Sequence, residues 1–157
     1  MIMEKNKNIN EQAQRLKDVL TKFAQDDIKD DKIKERILQV VNNCPAILTV
    51  PMVIEKQPGF LNVGNIGMYA AIHKLEWFVL RALDDKKASL QRDRNGRNLG
   101  MAAAIYGLEE ATIKALDNEK ASVQQDDDGC NIGMYAALTC CVLKNLFIIQ
   151  FFTLLLS

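Results

Sequence analysis

Cys130, Cys140 and Cys141 crowd one stretch of the chain, and with Cys44 and the single histidine, His73, they are the side chains that could hold a soft metal. A structural zinc site needs four such ligands at recognisable spacing. Here the fourth would have to come from distant Cys44 or His73, so no metal is expected. Glu109 and Glu110 could be imagined as a general acid and base. Neighbours on a helix diverge by about 100°, however, and no nucleophile or metal stands near them. One histidine excludes any mechanism that needs two. The chain also lacks GxxxxGK followed by Ser or Thr, GxGxxG, HExxH, paired CxxC units and a GxSxG elbow. The expectation is a protein without catalysis or cofactor, in which binding is the work left to explain.

Composition agrees with that narrowing. At 157 residues, 48% apolar and 25% charged, the chain suits one folded domain. Twenty basic and twenty acidic residues cancel, leaving no net field toward nucleic acid or an anionic membrane. The four cysteines have no framework spacing and the N-terminus is polar through Lys17, so a cytoplasmic protein with reduced thiols is expected.

What must position any binding residues is a repeat. Gly67-Met68-Tyr69-Ala70-Ala71 recurs as Gly100-Met101-Ala102-Ala103-Ala104 and as Gly133-Met134-Tyr135-Ala136-Ala137, with the glycines 33 residues apart. Asn65, Asn98 and Asn131 precede each glycine by two, and Asp93 and Asp126 stand three before Gly96 and Gly129. A period near 33 residues fits a turn plus two short helices, a unit that buries its apolar face only by stacking on copies of itself.

The central unit, DxxGxNLGMAAAIYGLEEATIKAL, resembles the ankyrin repeat, whose usual line is DxxGxTPLHxAAxxGxxxxxxxLL. The resemblance covers about 60–157 and implies an all-α, ankyrin-like helical solenoid of about three repeats, 60–92, 93–125 and 126–157, behind an N-terminal helical cap, 1–59. Asn98 stands in place of the usual Thr as N-cap, worth about 1 kcal/mol over Ala. Leu99, Gly100 and Met101 replace the usual Pro, Leu and His. Glycine inside a helix costs about 0.5 to 1 kcal/mol against alanine, so Gly67, Gly100 and Gly133 mark places where a neighbouring backbone should come too close for a side chain. Lys86 and Glu119 replace the family's usual glycine after the second helix.

The resemblance also implies a site, the concave face made of loop tips and the exposed side of the inner helices. On matching positions this gives Arg94, Asn95, Arg97, Ile105 and Tyr106 in the second unit, Asp127, Asp128, Cys130, Leu138 and Thr139 in the third, and Leu61, Asn62, Gly64, Ile72 and His73 in the first. Tyr and Arg are enriched at binding hot spots. A basic middle beside an acidic end would set orientation and partner choice. The competing reading is that Arg94 and Arg97 pair with Asp127 and Asp128 on the adjacent loop. The partner implied is another protein. With the Asn and Lys richness, the resemblance also admits a bacterial effector delivered into a host cell.

The flanking elements follow from periodicity. Leu16, Val19, Leu20 and Phe23 form one face of a helix from Asn10, after nine frayed residues. The aspartates between Asp26 and Asp31 break it. Asp30 or Asp31 then caps a second helix with Ile33, Ile37, Val40 and Val41 on one face, ended by Asn42-Asn43-Cys44-Pro45. Pro51 interrupts 46–56, where a short helix is favoured. Inner helices are expected over 66–73 and 99–105, and the first outer helix over 75–83, with Asp84-Asp85-Lys86-Lys87 turning the chain. Trp77, Phe78, Val79 and Leu80 should bury against the N-terminal helices. Leu108, Ala111, Ala115 and Leu116 should be the buried stripe of the second outer helix, leaving Glu109, Glu110 and Lys114 solvated.

Beyond Ala137 the register dissolves into an apolar stretch whose only charge is Lys144. A closing helix on the core, self-association or membrane contact through 142–156, and a truncated or frame-shifted end are its competing readings; the length is marginal for a span. Two rival functions therefore stand beside protein binding: membrane association or self-assembly through this tail, and a regulatory subunit of an enzyme on another chain.

Overall fold

The computed structural model describes residues 2–25, 31–52 and 64–140, and among them every regular element is a helix. Two amphipathic helices open the chain, α1 (Ile2–Gln25) and α2 (Asp31–Asn43). Helix α1 starts eight residues before the expected Asn10. Met3, Glu4, Lys5 and Lys7 in its first turns cost little in a helix. Ala13, Leu16, Leu20 and Phe23 are its buried stripe, whereas Val19 is exposed. In α2, Ile37 and Val41 are buried and Val40 is exposed. Pro45–Thr49 form a 3-10 turn that buries Ile47 and Leu48. The break expected at 26–30, the end of the 46–56 segment, Leu61, Asn62, Cys141 and the apolar tail 142–156 lie outside the described residues.

Two successive units then build the same three elements. The first holds α3 (Ile66–Ile72), α4 (Glu76–Leu83) and α5 (Lys86–Leu90). The second holds α6 (Leu99–Ile105), α7 (Glu109–Leu116) and α8 (Glu119–Ser122). A third begins with α9, residues 132–140. Helix α3 packs on α6, α4 on α7 and α5 on α8, so like lies on like. The turn expected over Asp84–Lys87 is shorter than that. Only the two aspartates turn the chain, because the Asp85 carboxylate accepts from the N–H groups of Lys87 and Ala88 and starts α5. Asn118 does the same for α8.

The asparagines tie each unit together. Asn65, Asn98 and Asn131 accept through Oδ1 from the N–H of Met68, Met101 and Met134 at 3.1, 3.0 and 3.0 Å. The first two are fully buried, and their amides also donate. Asn65 Nδ2 reaches Ala88 O at 2.9 Å and Gln91 Oε1 at 3.2 Å; Asn98 Nδ2 reaches Ala121 O at 3.0 Å and Gln124 Oε1 at 2.8 Å. One side chain thus caps the first helix and fastens the end of the short one. A threonine there could accept the same cap bond, but with a single donor hydrogen it could not also donate to both acceptors.

The crowding at the helical glycines comes from side chains, not from the neighbouring backbone that their position suggests. A Cβ on Gly67 would lie 2.9 Å from Ala82 Cβ and 3.0 Å from Leu99 Cδ2; on Gly100 it would lie 2.6 Å from Ala115 Cβ and 2.5 Å from Ile132 Cδ1. The first helices of these two units, α3 and α6, are therefore pressed between their own second helix and the next unit, whereas at Gly133, where the same crowding was expected, a Cβ would meet only Asn131 Oδ1 at 3.4 Å among the described residues.

The N-terminal helices cover the first unit. Phe78 and Val79 are fully buried, and Trp77 meets Phe23 of α1 edge-on with ring centroids 5.5 Å apart. Arg81 Nε donates to Asn42 at the end of α2, at 2.8 Å. The stripe of α7 differs from expectation: Leu108, Ala111, Thr112 and Ala115 are buried, while Leu116 is 40% exposed. Lys114 is not free in solvent either; its Nζ donates to Leu80 O at 3.1 Å and meets Asp84 Oδ1 at 2.6 Å, closing the end of α4.

Candidate functional site

The loops before α6 and α9 are copies of one turn. Asp93 Oδ1 accepts from the N–H groups of Asn95 and Arg97, and Asp126 Oδ1 from those of Asp128 and Cys130. Each turn closes on a glycine with positive φ, 75° at Gly96 and 81° at Gly129, a conformation that side-chain-bearing residues rarely adopt. The turns lie against one another: Asp127 N–H donates to Asn95 O at 3.0 Å, and Arg92 Nη2 to Gln125 O at 2.7 Å. Backbone and aspartate together hold the loop tips in a fixed row.

Arg97 sits at the centre. It does not pair with Asp127 or Asp128, the partners proposed from sequence, but with the buried Asp126, whose Oδ2 lies 3.7 Å from its Nε. Its guanidinium covers the Tyr135 ring, 5.6 Å from the centroid, and the Tyr135 hydroxyl donates a short hydrogen bond to Asp126. Burial alone would raise the Asp126 pKa. The Tyr135 hydroxyl, the N–H groups of Cys130 and Asp128, and the Arg97 charge outweigh it and hold the carboxyl below its ordinary range. Tyr135 is pushed up by burial and by the bond to Asp126, against the pull of Arg97. Tyr106, at the end of α6, is raised by burial and by Asp93, with Arg97 opposing. Arg97, Tyr106, Asp93, Asp126 and Tyr135 are thus one electrostatic cluster.

The other expected residues divide. Arg94, Asp127 and Asp128 are exposed on the loop tips beside this cluster; Asn95 is half-buried because its carbonyl joins the two turns. Ile105 is half-buried at the end of α6, with Leu138 exposed and Thr139 half-buried on α9. Thr139 Oγ1 donates to Ala104 O at 2.9 Å and so closes α6. Ile72 and His73 end α3, one unit away. His73 lies 4.6 Å from the Tyr69 ring, and burial, then the Lys17 charge, lowers its pKa. Helix α1 claims this part of the face: Lys17 stands over the Tyr69 ring at 5.2 Å, and the Tyr69 hydroxyl is hydrogen-bonded to Thr21. The structure brings together the second- and third-unit residues and sets Ile72 and His73 apart under α1.

Sequence reasoning passed over Tyr135, Asp126 as a partner, and Lys17. A signal for Tyr135 was present, since it occupies the same repeat position as Tyr69. Among the described residues no three His, Cys, Asp or Glu side chains are placed to hold a metal ion, and no helix is long and apolar enough to cross a membrane. Cys44, Cys130 and Cys140 are free thiols. No family model, curated protein or solved structure matches the chain.

Proposed function

We propose that the chain is an ankyrin-like helical solenoid that binds another protein, without catalysis, through the row of loop tips and the adjoining ends of α6 and α9. The observation that carries this reading is the Arg97–Asp126–Tyr135 cluster. It holds two successive loops rigid, so the exposed charges of Arg94, Asp127 and Asp128 are presented at little entropic cost, the condition for selective charge recognition. The basic tip of one loop beside the acidic tip of the next favours a partner with the opposite alternation. The 33-residue period and the like-on-like packing of helices support the ankyrin-like architecture.

The test is chemical crosslinking from a cell lysate with the full chain and with an Arg94→Glu, Asp127→Lys, Asp128→Lys variant. All three side chains are exposed and none makes one of the cluster's hydrogen bonds, so the melting temperature should change little. Specific partners are expected to vanish from the variant's crosslinks. Identical partners for both proteins would rule this face out.

A further inference from the structure

The surface through which α4 receives α7 is written again, residue for residue, on the exposed side of α7. On α4, Glu76 Oε1 accepts the Ala111 N–H at 3.1 Å, Leu80 offers its carbonyl to Lys114 Nζ, and Asp84 takes the same ammonium at 2.6 Å. Thirty-three residues on, the same three positions hold Glu109, Ile113 and Asp117. All three are exposed, Ile113 at 57%. Around them the apolar positions that are covered one unit earlier lie open. Met134 is 49% exposed where Met68 and Met101 are 4% and 0%, and Leu116 is 40% exposed where Leu83 is 8%. Among the described residues a Cβ on Gly133 would meet only Asn131 Oδ1 at 3.4 Å, where the same position at Gly67 and Gly100 is filled by the next unit's side chains.

We infer that this end of the stack is a docking surface for a helix of another protein, amphipathic, with small residues on its contact face and a Lys or Arg three residues after the residue whose N–H meets Glu109. Charge and register choose among the occupants. Residues 142–149 fall in the place of the next second helix, but they put Phe147 where Lys114 stands and Lys144 where Ala111 is fully buried. A second copy packed α7 against α7 would set Glu109 and Asp117 against the same acids, which repel. A helix that offers a free first-turn N–H to Glu109 and one cation to Asp117 satisfies both carboxylates and covers Ile113, Leu116 and Met134. This surface is separate from the loop-tip face and stands or falls independently of it.

The probe is a helix-stapled peptide with the sequence of residues 107–118, titrated into the full chain by fluorescence anisotropy. Saturable binding is expected. Exchanging the peptide's lysine for glutamate should weaken it by about fivefold or more. Asp117→Lys in the chain should reverse the preference, so that the glutamate peptide becomes the tighter one. No binding up to about 1 mM, the weakest affinity that would count as docking, or binding indifferent to both exchanges, overturns the proposal. So does formation of a disulfide that closes the surface, either within one Leu116→Cys, Leu146→Cys chain or between two Leu116→Cys chains.

Discussion

Gly100 and Gly133 hold the same place in successive units, yet one is walled in by Ala115 and Ile132 and the other has, among the described residues, only Asn131 Oδ1 at 3.4 Å near it. Asn98 and Asn131 differ in the same way: both cap a helix, but Asn98 is fully buried and also fastens Ala121 and Gln124. The contrast teaches that the repeat's sequence signature records local geometry, whereas its energetic weight depends on whether a next unit lies against it. Identical residues should therefore be worth different amounts at the two levels.

The largest difference is expected at the asparagines. Asn98→Ala loses the cap and strands buried partners, about 2 to 4 kcal/mol, while Asn131→Ala loses the cap alone, about 1 kcal/mol. Urea unfolding of the two variants measures both, and equal losses would erase the distinction. At the glycines the sign itself should change. Gly100→Ala forces its Cβ into Ala115, which cannot rotate away, and overpacking of this kind costs about 1 to 3 kcal/mol. Gly133→Ala meets only Asn131 Oδ1, at an ordinary contact distance, among the described residues and gains helix propensity, about 0.5 to 1 kcal/mol. Thermal melts should move in opposite directions.

A smaller effect sharpens the comparison at the loops. Because the Asp126 pKa is depressed in the fold, its contribution is fully present above the ordinary carboxylate pKa of about 3.9 and is lost as pH falls through the lower folded value. Stability of the wild type should therefore fall more steeply with acid below about pH 4 than that of Tyr135→Phe, which lacks the hydroxyl that helps hold the carboxylate ionised. Parallel pH profiles would mean that Tyr135 contributes nothing to this loop's electrostatics.

Much of this was legible in the chain. The 33-residue period, the asparagine caps and the bounds of α6 all follow from local chemistry, because an N-cap and a helical face need only residues three or four apart. The second pair of that pattern, Gln91 and Gln124, was equally visible by its spacing but gave no hint of what it bonds. The expected burial of Leu116 and solvation of Lys114 failed for a common reason: periodicity says which residues share a face, not whether another helix lies over it.

The candidate site divides along the same line. The sequence by itself determined that loops beginning at Asp93 and Asp126 turn on Gly96 and Gly129, since a short carboxylate and a residue free to take positive φ specify that turn wherever it occurs. Which of three consecutive aspartates meets Arg97 was decided only in the tertiary structure. Asp126 is turned inward by the Asp128 and Cys130 N–H groups and by Tyr135 from α9, leaving Asp127 and Asp128 in solvent. Charge type is a property of the residue, but the partner of a charge is set by distance, and distance between units exists only once they are packed.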